Sequence, residues 1–242
     1  PAMDVPPPPK EIPRLPNLTE NERAAETRFA DVFLKDPDKV VDAYMAKLKA
    51  GEIGDAPNIF NTDDAKLLSP DYNQQEGSDD DKKAARGVYN TAVHQTANAI
   101  AKRAFVKHLD NVVAKLPDDK RFVLVTSGGC AAGKGHSLGN VEATKNLSSK
   151  VGAIWDAAGE QNATENPWIL EECKKRGITP IYAFIHANPT ETWENEQRGV
   201  VERANKIGRM VDAKLFSDSY ELGAKNFHAF HEKNQDDQDC VF

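Results

Sequence analysis

From residue 20 to about 55 the apolar positions Phe29, Val32, Phe33, Val40, Val41, Tyr44, Met45 and Leu48 recur at steps of three and four. That period lines one side of a helix. Asp36-Pro37 divides the stretch in two, because proline lacks the amide donor and crowds the preceding turn. "QQEGSDDDKK" is acidic and reads as a flexible surface loop. Between residues 85 and 116 the apolar face returns through Val88, Val93, Ala97, Ile100, Ala101, Ala104, Phe105, Leu109 and Val113. It predicts one long helix, unbroken until Pro117.

Beyond Pro117 the pattern changes. "RFVLVTS" (121–127), "VGAIWDA" (151–157) and "TPIYAFIHA" (179–187) are short apolar runs of the kind that form buried strands. Helical stretches separate them, to about 149, at 164–176, and at about 190–204 and 210–232. Alternation of this kind requires crossover connections, and so predicts a parallel sheet covered by helices on both sides. Cys240-Val241-Phe242 reads as the start of a further strand. The domain reading is a proline-rich leader at 1–19, extended or disordered, a helical segment at 20–118 packed on a core, and an α/β core at 119–242.

Composition narrows the partners. At 242 residues with 39% hydrophobic content the chain can bury a core. Its net charge of −7 argues against wrapping duplex nucleic acid, which requires phosphates to be neutralised. A local basic pocket for one phosphorylated small molecule remains open. Three unevenly spaced cysteines suggest neither a disulfide framework nor a zinc cluster, and point to a reduced, cytoplasmic setting. With no apolar run of about 18 residues, no membrane insertion is expected.

The chemistry concentrates where the first strand ends. "GGCAAGKGHS" (128–137) follows the pattern G-x-x-x-x-G-K-S/T from Gly128 to Gly133 and Lys134, with Gly135 in place of the hydroxyl residue. Glycines let backbone amides turn toward an anion, and the lysine adds a mobile cation for terminal phosphates. Gly128, Gly129, Cys130, Ala131, Ala132, Gly133, Lys134, Gly135, His136 and Ser137 are therefore the candidate nucleotide cradle. The bland alternative is a glycine turn with a solvent lysine. Ser137 is the nearest hydroxyl for a metal, and Cys130 is either a small filler or a reactive thiol.

Asp156 closes the second strand and should face the same crevice, since ligands of open α/β sheets sit outside the carboxyl ends of the strands. It suits a base or a magnesium ligand; a helix N-cap is the alternative. Arg198, Arg203 and Arg209 lie on or beside the helix after the third strand, where arginines neutralise a transferred phosphoryl group or merely face solvent. His186 ends the third strand, while His228 and His231 read as surface residues.

The segments "FNTDDAKLLSPDYN", "VYNTAVHQTANAIAKRAF", "VLVTSGGCAAGKGHS" and "PIYAFIHANPTETWENEQRG", in that order, resemble the zeta-toxin family of P-loop kinases, in a bacterial subgroup with a helical segment before the loop. The resemblance spans residues 58 to about 200. It implies a P-loop NTPase-type sheet, ATP and Mg2+ as cofactors, and phosphorylation of a hydroxyl on a nucleotide sugar or dinucleotide. Lys134 would bind the donor phosphates, Asp156 would be the base, and Arg203 and Arg209 would clamp the transferred group. Asn61, Asp63 and His94 would line the acceptor side. An antitoxin or inhibitor protein is the partner this implies, and delivery to a target cell is compatible with it. Two other functions stay open: a catalytically impaired nucleotide-binding or interaction module, which Gly135 favours, and a polynucleotide kinase, which the acidic balance disfavours.

Overall fold

The computed structural model describes residues 7–74, 76–195, 199–208 and 211–242. The chain divides into two compact units. One contains Val106–Glu202 and Val211–Phe242, the other the described residues of Asp4–Phe105 and Arg203–Met210.

The second unit is helical. α1 (Glu20–Lys35) starts at a capping box in which Thr19 and Glu22 satisfy each other's backbone amides. α2 (Pro37–Ala50) carries proline in its first turn and ends on Gly51 in the left-handed conformation. The described part of the proline-rich stretch has neither helix nor strand, yet it is anchored to α1. Ile12 is buried, and the Leu15 amide donates to the buried Glu26 carboxylate at 2.9 Å. A two-residue strand, β1 (Ile59–Phe60), leads to α3 (Thr62–Lys66), α4 (Pro70–Asn73), α5 (Asp79–Tyr89) and α6 (His94–Asn111), whose residues from Val106 onward belong to the first unit. Tyr44, Phe60 and Phe105 form an aromatic core, with centroid separations of 6.4 and 5.8 Å.

Three expectations change here. The acidic run 79–81 is the first turn of α5 rather than a loop, because Ser78 caps it and carboxylates suit the positive end of a helix. The long helix is interrupted at residues 90–93, where turn structure separates α5 from α6. Val32 and Val88, assigned to apolar stripes, are exposed.

The first unit is a small parallel β-sheet flanked by α-helices. β2 (Phe122–Gly128) runs into a glycine-rich loop, then α7 (Lys134–Asn140) and α8 (Glu142–Ser148), two helices where one was expected. β3 (Ala153–Asp156), α9 (Asn162–Lys174) and β4 (Thr179–Ile185) follow. The stretch expected as one helix at 190–204 is α10 (Pro189–Glu194) and, after a break, α11 (Val200–Ile207), whose residues from Arg203 onward belong to the helical unit. α12 (Ala213–Asn234) closes the unit. β2 lies between β3 and β4, parallel to both. Of the last three residues only Val241 pairs, in an isolated parallel bridge to Ile181.

Two crossovers in opposite directions fix the layers. Parallel connections are nearly always right-handed, so α7 and α8, carrying β2 to β3, cover one face, and α9, carrying β3 back past β2 to β4, covers the other. Side chains confirm the α9 face: the Trp155 indole donates to Glu165 at 2.9 Å and the Tyr182 hydroxyl to the Asn166 carbonyl at 2.9 Å. The core consists of Val123, Leu124, Val125, Ile154, Trp155 and Ile169, all nearly fully buried. Each large side chain there contributes about 1.5–3 kcal/mol through burial.

Candidate functional site

Because the connections from β2 and β3 leave for opposite faces, the position at which open α/β sheets form a ligand crevice lies between the carboxyl ends of these two strands. The glycine loop and Asp156 stand at its two sides. Thr126 and Asp156 are register partners on adjacent parallel strands, so their side chains share a face. The buried Thr126 hydroxyl donates to Asp156 Oδ1 at 3.1 Å and orients the carboxylate. Lys134 Nζ lies 4.0 Å from the same oxygen. A direct charge-assisted hydrogen bond would be about 2.7–2.9 Å, so the two charges face each other without locking. Their side chains are 14% and 25% exposed, which keeps both within reach of a ligand while limiting screening.

The loop itself is tightly built. Gly128 is required by close approach, since a Cβ there would stand 2.3 Å from the Ile185 carbonyl oxygen. Ala131 takes a φ of 59°, uncommon for a residue with a side chain, and Gly133 takes 85° to open α7. The Ala132 amide closes a turn on the Gly129 carbonyl at 3.1 Å, and the Ser137 amide returns to the Gly133 carbonyl at 2.8 Å. The amides of Lys134, Gly135 and His136 precede the first intrahelical donor, the Ser137 amide, and Gly133 brings no capping side chain. His136 is exposed, with its ring nitrogen 3.2 Å from the Asn140 amide one turn along the helix. Ser137 is half-buried.

α12 holds the loop from behind. The Cys130 amide donates to Ser219 Oγ at 2.8 Å, and the Tyr220 hydroxyl donates to the Cys130 carbonyl at 3.2 Å. Neither residue carried a signal in the sequence, since they lie some ninety positions away on a helix. Thr126 was discoverable by aligning the carboxyl ends of the predicted strands.

The structure places the other candidates elsewhere. Asp156 caps no helix: α9 begins after Gln161, and the short turn before it after Ala158. His186 is exposed just past β4. Asn61, Asp63 and His94 are in the helical unit. Asn61 is the N-cap of α3, accepting from the Asp64 amide at 2.8 Å and donating to its carboxylate at 2.7 Å. Asp63 pairs with the buried Lys66 ammonium at 3.1 Å, and Lys66 also donates to Asn90 at 2.8 Å. His94 is the half-buried first residue of α6. Arg203 is half-buried in α11, in the helical unit. Arg198 and Arg209 lie outside the described residues.

Two hollows, of about 370 Å³ beside Leu67–Gly77 and about 250 Å³ between α9 and α12, do not border the loop. A backbone phosphate cradle is a shallow concavity, marked by its amides rather than by volume. Among the described residues no group of three or more His, Cys, Asp or Glu is placed to hold a metal, and no helix is long and apolar enough to cross a membrane. No protein-family model matches the chain, and no curated protein matches it significantly.

Proposed function

We propose that the protein is an ATP-dependent small-molecule kinase of the zeta-toxin type, built on a P-loop NTPase sheet. The observation carrying this reading is the meeting of Lys134 and Asp156 across the mouth of the glycine loop, at the carboxyl ends of adjacent strands. Loop amides and Lys134 would bind the β- and γ-phosphates of ATP. Asp156 would take the proton of an acceptor hydroxyl as its oxygen bonds to the γ-phosphorus and the bridge to the β-phosphate breaks, releasing ADP.

Magnesium suits this donor set. It binds through one or two carboxylates together with substrate phosphates and water, and Asp156 and Ser137 offer a carboxylate and a hydroxyl. Bound with ATP, it would neutralise charge on the phosphates. By resemblance, Arg203 and Arg209 would clamp the transferred group and His94 would meet the acceptor, whereas Asn61 and Asp63, which the resemblance also places there, are engaged in capping α3 and in pairing with Lys66. The acceptor class is a nucleotide sugar or dinucleotide, and an antitoxin or inhibitor protein is the proposed partner.

A second reading is a nucleotide-binding module without turnover. Gly135 in the hydroxyl position favours it, as does the His136 ring, which faces Asn140 rather than the loop. Incubating the protein with γ-labelled ATP, Mg2+ and a panel of nucleotide sugars and dinucleotides separates the two. Label transferred to a small molecule is expected. ATP binding without transfer to any acceptor would leave the second reading.

A further inference from the structure

The face of α12 carrying Ser219, Tyr220 and Gly223 touches both sides of the crevice. On the loop side it engages both polar groups of one residue. Ser219 is fully buried, accepts from the Cys130 amide, and donates its hydroxyl to the Phe216 carbonyl at 2.7 Å. The Cys130 amide is thus oriented toward α12 by a buried acceptor. The Tyr220 hydroxyl holds the carbonyl of the same residue. Its ring lies so close to Gly129 that a Cβ there would meet it at 2.3 Å. On the Asp156 side, a Cβ on Gly159 would stand 2.6 Å from the Ser219 carbonyl oxygen and 3.1 Å from Gly223 Cα. One helix therefore abuts the loop and the turn that follows Asp156.

α12 is itself braced. Phe216 packs on Trp193 of α10 and on Tyr220, each at 4.9 Å between centroids, and Cys130 and Ala131 lie against this cluster. Burial pushes the Tyr220 phenol up, so it remains a neutral donor.

We infer that Ser219 and Tyr220 are positioning residues: by gripping the Cys130 peptide they hold the loop in the conformation that receives a nucleoside triphosphate, and α10 is joined to that grip through the packing of Trp193 on Phe216. The inference rests on the proposed reading of the loop. Removing either hydroxyl keeps the packing almost unchanged, so the helix and the fold should persist, while the loop is released.

The test compares Ser219→Ala and Tyr220→Phe with the unaltered protein by three measurements: affinity for ATP·Mg by calorimetry, alkylation of Cys130 by iodoacetamide followed site by site, and the urea midpoint. Cys130 is the partly exposed thiol, and Cys173 and Cys240 are buried, so its alkylation reports the loop. Ser219→Ala leaves the part-buried Cys130 amide without its acceptor and should weaken ATP·Mg binding about tenfold or more. Tyr220→Phe should weaken it by about threefold. In both, Cys130 should alkylate faster while the urea midpoint falls by no more than the loss of one hydrogen bond accounts for, a result that general destabilisation of the fold would not give. Binding and alkylation equal to the unaltered protein in both variants would overturn the inference and leave the loop reading standing. An unaltered protein that binds no ATP·Mg would overturn the loop reading, and the inference with it.

Discussion

The loop after β2 and the segment around Asn61 carry similar polar residues, but they use them differently. At Asn61 both ends of the side-chain amide are spent on Asp64, and Asp63 is spent on a buried lysine. These are fold-building contacts that cap α3 and settle a buried charge. At the loop, Lys134 and Asp156 stand 4.0 Å apart, and the backbone takes a strained conformation at Ala131. Backbone strain of this kind costs free energy and clusters at functional sites. A polar motif is thus better judged by how its groups are held than by its residue types.

The largest effect expected from this contrast is on turnover. Asp156→Asn keeps the size and the Thr126 contact but removes the base, and should lower phosphate transfer about 10²- to 10⁴-fold. ATP·Mg affinity should change far less, because a base acts mainly in the transition state. An equal loss in both would move Asp156 from chemistry to binding.

Asn61→Ala should behave in the opposite way. Losing the cap should cost about 1 kcal/mol of stability, read by urea unfolding, with the KM for acceptor unmoved. A raised acceptor KM at unaltered stability would instead give Asn61 to the acceptor, as the family resemblance implies. A smaller effect is expected at Ala131. Replacing it with glycine removes a side chain from the left-handed region and should raise stability by less than about 1 kcal/mol, since glycine also frees the unfolded chain. A clear loss would contradict the loop geometry.

The smallest effect concerns another group committed to the fold. His108 donates from Nε2 to the Gly152 carbonyl at 3.0 Å, and burial lowers its pKa from the ordinary 6.5, partly opposed by that hydrogen bond. The unfolded chain therefore takes up the proton first. Stability from neutral His108 is fully present above pH 6.5 and falls as the pH drops through the folded value. Subtracting the pH–stability curve of His108→Gln from that of the unaltered protein should reveal this fall; a flat difference would contradict it.

Much of the first unit was legible in the sequence, because fully buried parallel strands are apolar runs and the glycine loop stands where one of them ends. Asp156 was legible for the same reason. The frame around them was not. Ser219 and Tyr220 act through a tertiary contact about ninety residues away, and no local pattern encodes it. Thr126 looked like one more strand residue until the register placed it beside Asp156. The acidic run that opens α5 misled because a capped helix start and a solvated loop share a composition, and only Ser78 distinguishes them. Val32 and Val88 misled because a stripe on a helix says which side is apolar, not how far the neighbouring elements reach along it.

The central claim is that the loop binds a nucleoside triphosphate through Lys134. Calorimetric titration of ATP·Mg into the unaltered protein and Lys134→Ala tests it most directly. Saturable binding by the unaltered protein and about tenfold or more weaker binding by the variant are expected, as for the loss of charge-assisted hydrogen bonds, at an unaltered urea midpoint. Equal affinity in the two proteins, or no binding by either, would contradict it.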